Sequence, residues 1–353
     1  MTRLLLSAVA LAACSSEAPR NESAVPTAPA TFAPVEVAPT PVASLDTGAK
    51  PRPGEVRTFG DWTVGCDNTL RCELRSLAAE NAEPGDPTVS IARDAGPEGK
   101  FEVTIDGYED AGAAAAVDGQ PVATRAGIVS AMANGRVLAL LAGGKAVATV
   151  SLNGASAALR YVDAVQGRAG TVTALVARGR KPARAVPAAP PAPTIVAMRF
   201  SGQTAKPTAA QLGEMRRIAE CDADALAAGR LEEPEAYALG AGKTLVLLPC
   251  SAGAYNMLSA VFVLDGTGVA PVRADAPVGF DADGKGIPTV VNGGVDKGLL
   301  GSFAKARGLG DCGVIQSFVW DGARLRLSLQ QQMGVCRGNT AYITTWRANV
   351  APR

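Results

Sequence analysis

Ser302-Phe303-Ala304-Lys305 sets a hydroxyl and an ammonium three residues apart, the S-x-x-K spacing in which a lysine helps activate a serine for acylation. That chemistry also calls on an S-x-N element and a K-T-G string. Ser151-Leu152-Asn153 supplies the first, but upstream of Ser302, and Lys243-Thr244 is followed by Leu245 instead of Gly. The plainer reading is a helix start with Lys305 in water. The chain contains no histidine. Ser-His-Asp and Cys-His nucleophiles are therefore excluded, as are mixed Cys/His zinc sets.

Asp281-Ala282-Asp283-Gly284-Lys285-Gly286 begins like a calcium loop. Position five is Lys285, however, and Asn292 stands where a bidentate Glu belongs, so a polar turn is expected. Gly308-Leu309-Gly310-Asp311-Cys312-Gly313 fits G-x-G-x-x-G. The dinucleotide fingerprint follows a strand and opens a helix, whereas Val314 to Trp320 reads as a strand. These glycines are expected to make a tight turn that brings Cys312 to its partner. Glu109-Asp110 and Glu232-Glu233 are adjacent pairs whose side chains diverge on a strand and do not face each other on a helix. Carboxylate-driven glycoside hydrolysis needs converging carboxylates. Trp62, Trp320 and Trp346 read as core or sheet-face residues. No catalytic, metal-binding or cofactor-binding residue is assigned, and no cofactor is expected.

The elements that would position these residues are mostly strands. Val56 to Cys66 roughly alternates apolar and polar residues, Asp67-Asn68-Thr69 is turn chemistry, and Arg71 to Leu77 returns as the second arm of a hairpin. Thr88–Ala92 and Phe101–Ile105 alternate with period two. Gly127–Asn134 is expected as a short helix, Val137–Leu141 and Ala146–Leu152 as strands, and Ala155–Val165 as a helix. Val172–Ala177 reads as a last strand or helix end. Further on, Ile195–Phe200 reads as a strand. Pro207-Thr208 opens a helix through Leu212, Met215 and Ile218. Thr244–Leu248, Asn256–Leu264, the neighbourhood of Val290, Val314–Trp320, Leu325–Leu329 and Tyr342–Trp346 read as strands, with Asp321-Gly322 as a hairpin signal. The expected fold class is α+β, two mainly antiparallel-sheet domains with few helices.

The N-terminus carries a different signal. Arg3, the apolar run Leu4–Leu11 and then Leu11-Ala12-Ala13-Cys14 have the layout of a secretory signal peptide. The last four residues resemble the lipobox of bacterial lipoproteins, in which the cysteine is acylated and becomes the new N-terminus. The apolar run is too short to span a bilayer. Eight prolines between Pro19 and Pro53 mark a polar spacer unable to bury a core. Five more prolines in Lys181–Pro193 mark a boundary. The expected organisation is a signal peptide (1–13), a lipid anchor with a disordered Pro-rich spacer (14–55), a β-rich domain (56–180), a Pro/Ala-rich linker (181–194) and an α+β domain (195–353). Ser15 after Cys14 favours the outer membrane in bacteria that sort by that position.

Six further cysteines remain: Cys66, Cys72, Cys221, Cys250, Cys312 and Cys336. An even number in an exported chain reads as disulfides, and six allow 15 pairings. Proximity and the domain boundary suggest Cys66–Cys72, Cys221–Cys250 and Cys312–Cys336, without fixing them. The net charge of +1, with both signs interspersed, gives no nucleic-acid footprint.

Four strings in this order, FGDWTVGCDNTLRCELRSL, ALRYVDAVQGRAGTVTALVARG, LPCSAGAYN and KARGLGDCG, resemble the bacterial envelope family known as domain-of-unknown-function family 1176. The resemblance covers about Phe59 to Arg337. The opening Asp61-Trp62 with Cys66 is also similar to the invasion-associated locus B proteins, exported proteins of proteobacteria. Both imply an envelope location and disulfide-bonded folding, and neither implies a reaction. The functional expectation is a non-enzymatic lipoprotein that binds another envelope protein or a glycan. The alternative is a carboxylate-dependent hydrolase acting on cell-wall or exported substrates.

Overall fold

The computed structural model describes residues 50–79, 86–107, 114–281 and 284–353. Cys14, the signal peptide, almost all of the spacer, Glu109-Asp110 and Asp283 lie outside the described residues. Every described residue belongs to one compact unit, Ala43–Arg353.

The first sheet is an antiparallel meander of β1 (Val56–Phe59), β2 (Trp62–Cys66), β3 (Cys72–Ser76), β4 (Thr88–Arg93) and β5 (Phe101–Asp106), in that order. Alternation along β3 and β4 sends Leu74, Val89 and Ile91 to one face. The other face carries Glu73, Arg75, Ser90 and Ala92. A second sheet, order β7-β6-β8-β9, is built from β6 (Ala114–Val117), β7 (Gln120–Val122), β8 (Val137–Ala142) and β9 (Lys145–Ser151). Two helices, α1 (Arg125–Met132) and α2 (Ala155–Val165), complete the core of this half. Ile128 and Met132 of α1 and Ala158, Leu159 and Val162 of α2 meet Trp62, Val64 and Leu74 there. Trp62 is fully buried and its indole N–H donates to the Ser151 carbonyl at 2.9 Å.

Residues 172–177 form neither the strand nor the helix end expected of them; they are turns. The buried Asp163 carboxylate is the reason. It accepts the backbone N–H groups of Leu175, Val176 and Ala177 at 2.7 to 3.1 Å, amides that a strand would have spent on a neighbour. Residues 181–194 continue in contact with the first half. Val172 donates to the Lys181 carbonyl at 2.9 Å, and Lys181 donates to that of Gly170 at 3.1 Å. Val186 of this stretch is buried.

The remainder begins with β10 (Thr194–Ala197), α3 (Ala209–Ile218) and α4 (Ala223–Ala227). Thr208 and Gln211 form a reciprocal capping box at the start of α3. One sheet follows the order β11-β12-β13-β14, from β11 (Glu235–Gly240), β12 (Lys243–Ala252), β13 (Met257–Asp265) and β14 (Gly268–Pro271), with β15 (Thr289–Val291) also paired to β13. The facing sheet is β16 (Gly294–Asp296), β17 (Leu299–Lys305), β18 (Gly313–Trp320), β19 (Leu325–Met333) and β20 (Ile343–Arg347). Leu245, Leu247 and Val261 from the first sheet interlock with Phe318, Trp320 and Leu327 from the second. The back of β12 is buried too, with Val246 and Leu248 packed with Met215 of α3. Burial on both faces explains why Thr244–Leu248 reads as a near-continuous apolar run. The last strand, β21 (Asn349–Pro352), pairs in parallel with β10, the one parallel pair among the named described strands. The architecture is α+β, dominated by antiparallel sheets.

The structure joins Cys66 to Cys72, Cys221 to Cys250 and Cys312 to Cys336, with Cα separations of 4.0, 4.4 and 4.8 Å. All three lie within the usual range or just below it.

Candidate functional site

The polar face of the meander is closed by a distant part of the chain. Residues 337–347, including β20, lie along it. Arg75 donates Nε to the Ala341 carbonyl at 2.8 Å and Nη2 to that of Tyr342 at 3.1 Å. Glu73 accepts the Thr344 N–H at 2.9 Å and the Arg75 Nη2 at 2.8 Å. Burial, with a smaller push from the Arg71 charge, pulls the Arg75 pKa down, and the Glu73 carboxylate opposes that pull. Asn68 grips the Arg347 backbone in both directions, donating at 3.0 Å and accepting at 2.8 Å. Arg347 also pairs with Asp67. Asn339 donates to the Ser76 carbonyl at 2.8 Å.

The motif residues converge on this seam. Asp61 accepts Arg337 Nη1 at 3.0 Å and the Ser151 hydroxyl at 2.7 Å. The Ser151 bond, with help from Arg337, holds the Asp61 carboxyl below its ordinary pKa. Asp311 is fully buried, accepting Arg307 Nε and the Gly338 N–H, each at 2.7 Å. Burial pushes its pKa up, but these donors outweigh it and the net shift is downward. Tyr255 and Asn256, from LPCSAGAYN, donate to the carbonyls of Ala306 and Lys305 in KARGLGDCG at 3.0 and 2.9 Å. These residues are engaged in holding loops together and leave no reactive group displayed.

The expected chemistry at Ser302 does not assemble. Ser302 and Lys305 lie on β17, a strand and not the helix start expected here, because Phe303 and Ala304 alternate between its faces. Residues three apart on a strand point to opposite sides. Ser302 is buried and its Oγ accepts the Val291 N–H at 3.0 Å, while the Lys305 Nζ sits 5.4 Å from the Phe303 ring centroid. Ser151 and Asn153 belong to the Asp61 cluster. The 308–313 loop runs into a strand. Gly313 adopts φ +138°, and a Cβ there would stand 2.1 Å from the Ala304 carbonyl oxygen. Asp281 closes its own loop, accepting the N–H groups of Gly284 and Gly286 at 3.1 Å each. Among the described residues no group of three or more His, Cys, Asp or Glu converges as a metal site would need. Glu232 and Glu233 are exposed.

A cavity of about 810 Å³ opens between the end of α3, residues 271–278 and the 284–289 loop. It falls within the size range of ligand sites. Val272, Val278 and Ile287 add apolar side chains to its lining. Arg273, Lys285 and Arg324 supply cations, set against Glu220 and the already engaged Asp281. Arg273 donates to the Ala323 carbonyl at 3.3 Å, and Arg324 lies 3.6 Å from Asp321, which steadies both arms. No aromatic ring is among the described lining residues. The excess of cations suits a ligand carrying carboxylate or phosphate groups. No local pattern announces this site, because its residues come from four separate segments with no motif spacing.

One curated relative, "Uncharacterized protein YpfG" of Escherichia coli (strain K12), is 26% identical over 336 residues, covering 82% of this chain and 92% of the relative. No solved structure matches. The family model described as "Protein of unknown function (DUF1176)" matches residues 56–350, from β1 into β21 and so across both sheet systems and the seam between them. The chain belongs to the DUF1176 family.

Proposed function

We propose that this chain is a non-enzymatic binding module of the bacterial envelope, tethered on the periplasmic side by a lipid on Cys14, with the outer membrane as its destination. The reading includes two domains, 56–180 and 195–353, divided at the proline-rich 181–194. The Arg273–Arg324 cavity is its binding site, and an acidic segment of another envelope protein is its ligand. The observation that carries the reading is that Arg273, Lys285 and Arg324 outnumber Glu220 and Asp281 in the lining. A glycan is disfavoured because sugar rings are commonly gripped against aromatic faces, and the described lining offers none. The lipobox-like Leu11–Cys14 and the long spacer support the tether.

A photo-crosslinking residue in place of Phe280, which is 55% exposed beside this cavity, tests the reading in cells. One discrete protein adduct should form. It should disappear when Arg273→Glu and Arg324→Glu are combined. No adduct, or one indifferent to those charge reversals, would overturn the proposal.

A further inference from the structure

A separate recess of about 460 Å³ lies where the β10–β21 pair meets the turn between β16 and β17. Met198, Phe200, Leu299, Val319, Val350 and Pro352 line it. Leu299 and Val350 are 40% and 44% exposed, so this apolar wall stands open to water. Among the described lining residues the charged ones are Arg199 and Lys297, both cations. Both side chains are exposed, and neither has a hydrogen bond or ion pair among the described residues.

The turn itself adds an independent observation. Asp296 pairs with Leu299, so Lys297 and Gly298 form a two-residue hairpin turn, with φ of +48° and +81°. Asn, Asp or Gly normally fills the first position of such a turn, because an ordinary side chain is strained there. A lysine held in that conformation presents its ammonium at the edge of an apolar recess.

We infer that this recess binds a single acyl chain bearing an anionic head. The apolar wall would take the chain, and Arg199 with Lys297 would take the carboxylate or phosphate. The volume is that of a small-ligand pocket. An amphiphile with one negative end matches the two-sided character of the lining, apolar inside and cationic at the edge. The site is distinct from the Arg273–Arg324 cavity, and either can fail without the other.

The test uses the full chain carrying Cys14→Ser and follows Trp fluorescence, since Met198 and Phe200 of the recess pack against the cluster that holds Trp320. Three probes are titrated below their micelle concentrations: palmitate, palmitoyl-lysophosphatidylglycerol and palmitoyl-lysophosphatidylcholine. Vesicles of phosphatidylglycerol and phosphatidylethanolamine form a fourth arm. The two anionic amphiphiles should bind saturably, one per chain, and about tenfold more tightly than the zwitterionic one. A preference between them identifies a free fatty acid or a phospholipid as the source of the head. Arg199→Ala with Lys297→Ala should remove that preference. Leu299→Asp should weaken all three amphiphiles by about tenfold or more. Far-ultraviolet circular dichroism should stay unchanged, since Leu299 is 40% exposed. A second variant, Val350→Ser, repeats the apolar test should Leu299→Asp misfold. Absence of binding, binding indifferent to these variants, or binding to vesicles alone would overturn the inference.

Discussion

Asp61 and Arg337 are 276 residues apart in sequence, yet Arg337 Nη1 donates to Asp61 Oδ1 at 3.0 Å. Arg337 spends its Nε on the Ala78 carbonyl and returns its own carbonyl to the Ala78 N–H, at 2.8 and 2.9 Å. One side chain thereby ties the start of the meander to the segment that closes it. Each side chain of the pair is 23% exposed, so solvent weakens the pair without removing it. Arg337→Ala should cost about 1–2 kcal/mol. Asp61→Asn should cost a similar amount, and the double variant should cost less than the two together. Urea denaturation of all four proteins gives the coupling; strict additivity would mean the pair is incidental.

The acid side of the stability profile follows from the same region. Asp61 and Asp311 are both held below their ordinary pKa of 3.8. Their folded values thus lie below the unfolded ones. Their contribution is complete above the unfolded value and is lost as pH falls through the folded values. The thermal midpoint should change little between about pH 7 and 5 from these groups, then fall below about pH 4. Asp61→Asn should make that fall shallower. An equal fall in the variant would assign the acid sensitivity elsewhere.

Tyr342 governs the opposite limit. Burial, and secondarily the Asp311 charge, pushes its hydroxyl pKa up to about 12. A folded value above the unfolded one means that ionisation opposes the fold. Stability from this group is present below about pH 10 and is lost as pH rises toward 12. Ultraviolet difference titration should show a late step that Tyr342→Phe reduces, with a remainder from Tyr237, whose hydroxyl pKa burial also raises.

Gly313 and Gly143 offer a matched comparison. Both have positive φ, but a Cβ at Gly313 meets the Ala304 carbonyl at 2.1 Å, whereas nothing lies within 4 Å at Gly143. Gly143→Ala should cost about 1 kcal/mol, from the backbone alone. Gly313→Ala should cost about 3 kcal/mol or more, since backbone must move as well. Similar Tm values for the two would show that the loop before β18 yields easily.

The disulfides should rank by the loops they close. Cys221–Cys250 and Cys312–Cys336 span 29 and 24 residues, against 6 for Cys66–Cys72. Replacing either long-loop pair by serine should cost about 3 kcal/mol, and the short one about 2 kcal/mol. The Cys312–Cys336 variant carries a further consequence, because Arg337 and Gly338 follow directly. Proteolysis of the native protein should begin near 337–347 in that variant and not in the other two.

The strand-rich class was legible because β3, β4 and β5 alternate with period two and the helices carry clear 3–4 spacing. Ala155–Val165 has the bounds its pattern predicts, and α3 begins just after the Pro207-Thr208 start signal. The turns at 172–177 were not legible, since they depend on one buried carboxylate, Asp163, twelve residues upstream of the nearest amide it accepts. Ser302 read as a helix start because a two-position motif ignores the alternation around it. The Arg273–Arg324 cavity and the Glu73–Thr344 contact left no trace in local pattern, as each joins residues whose proximity is purely tertiary.

The seam also sets a timetable. Glu73 waits for an amide 271 residues later, and Asp61 for a guanidinium 276 residues later. At ordinary rates of synthesis that interval is on the order of tens of seconds. Throughout it the meander has strands but lacks the lid for its polar face, and Arg75 faces solvent instead of the carbonyls of Ala341 and Tyr342. Contacts of such sequence separation are slow to close even in a finished chain. Wherever the chain folds, its first half therefore stays unsealed until its final strands arrive.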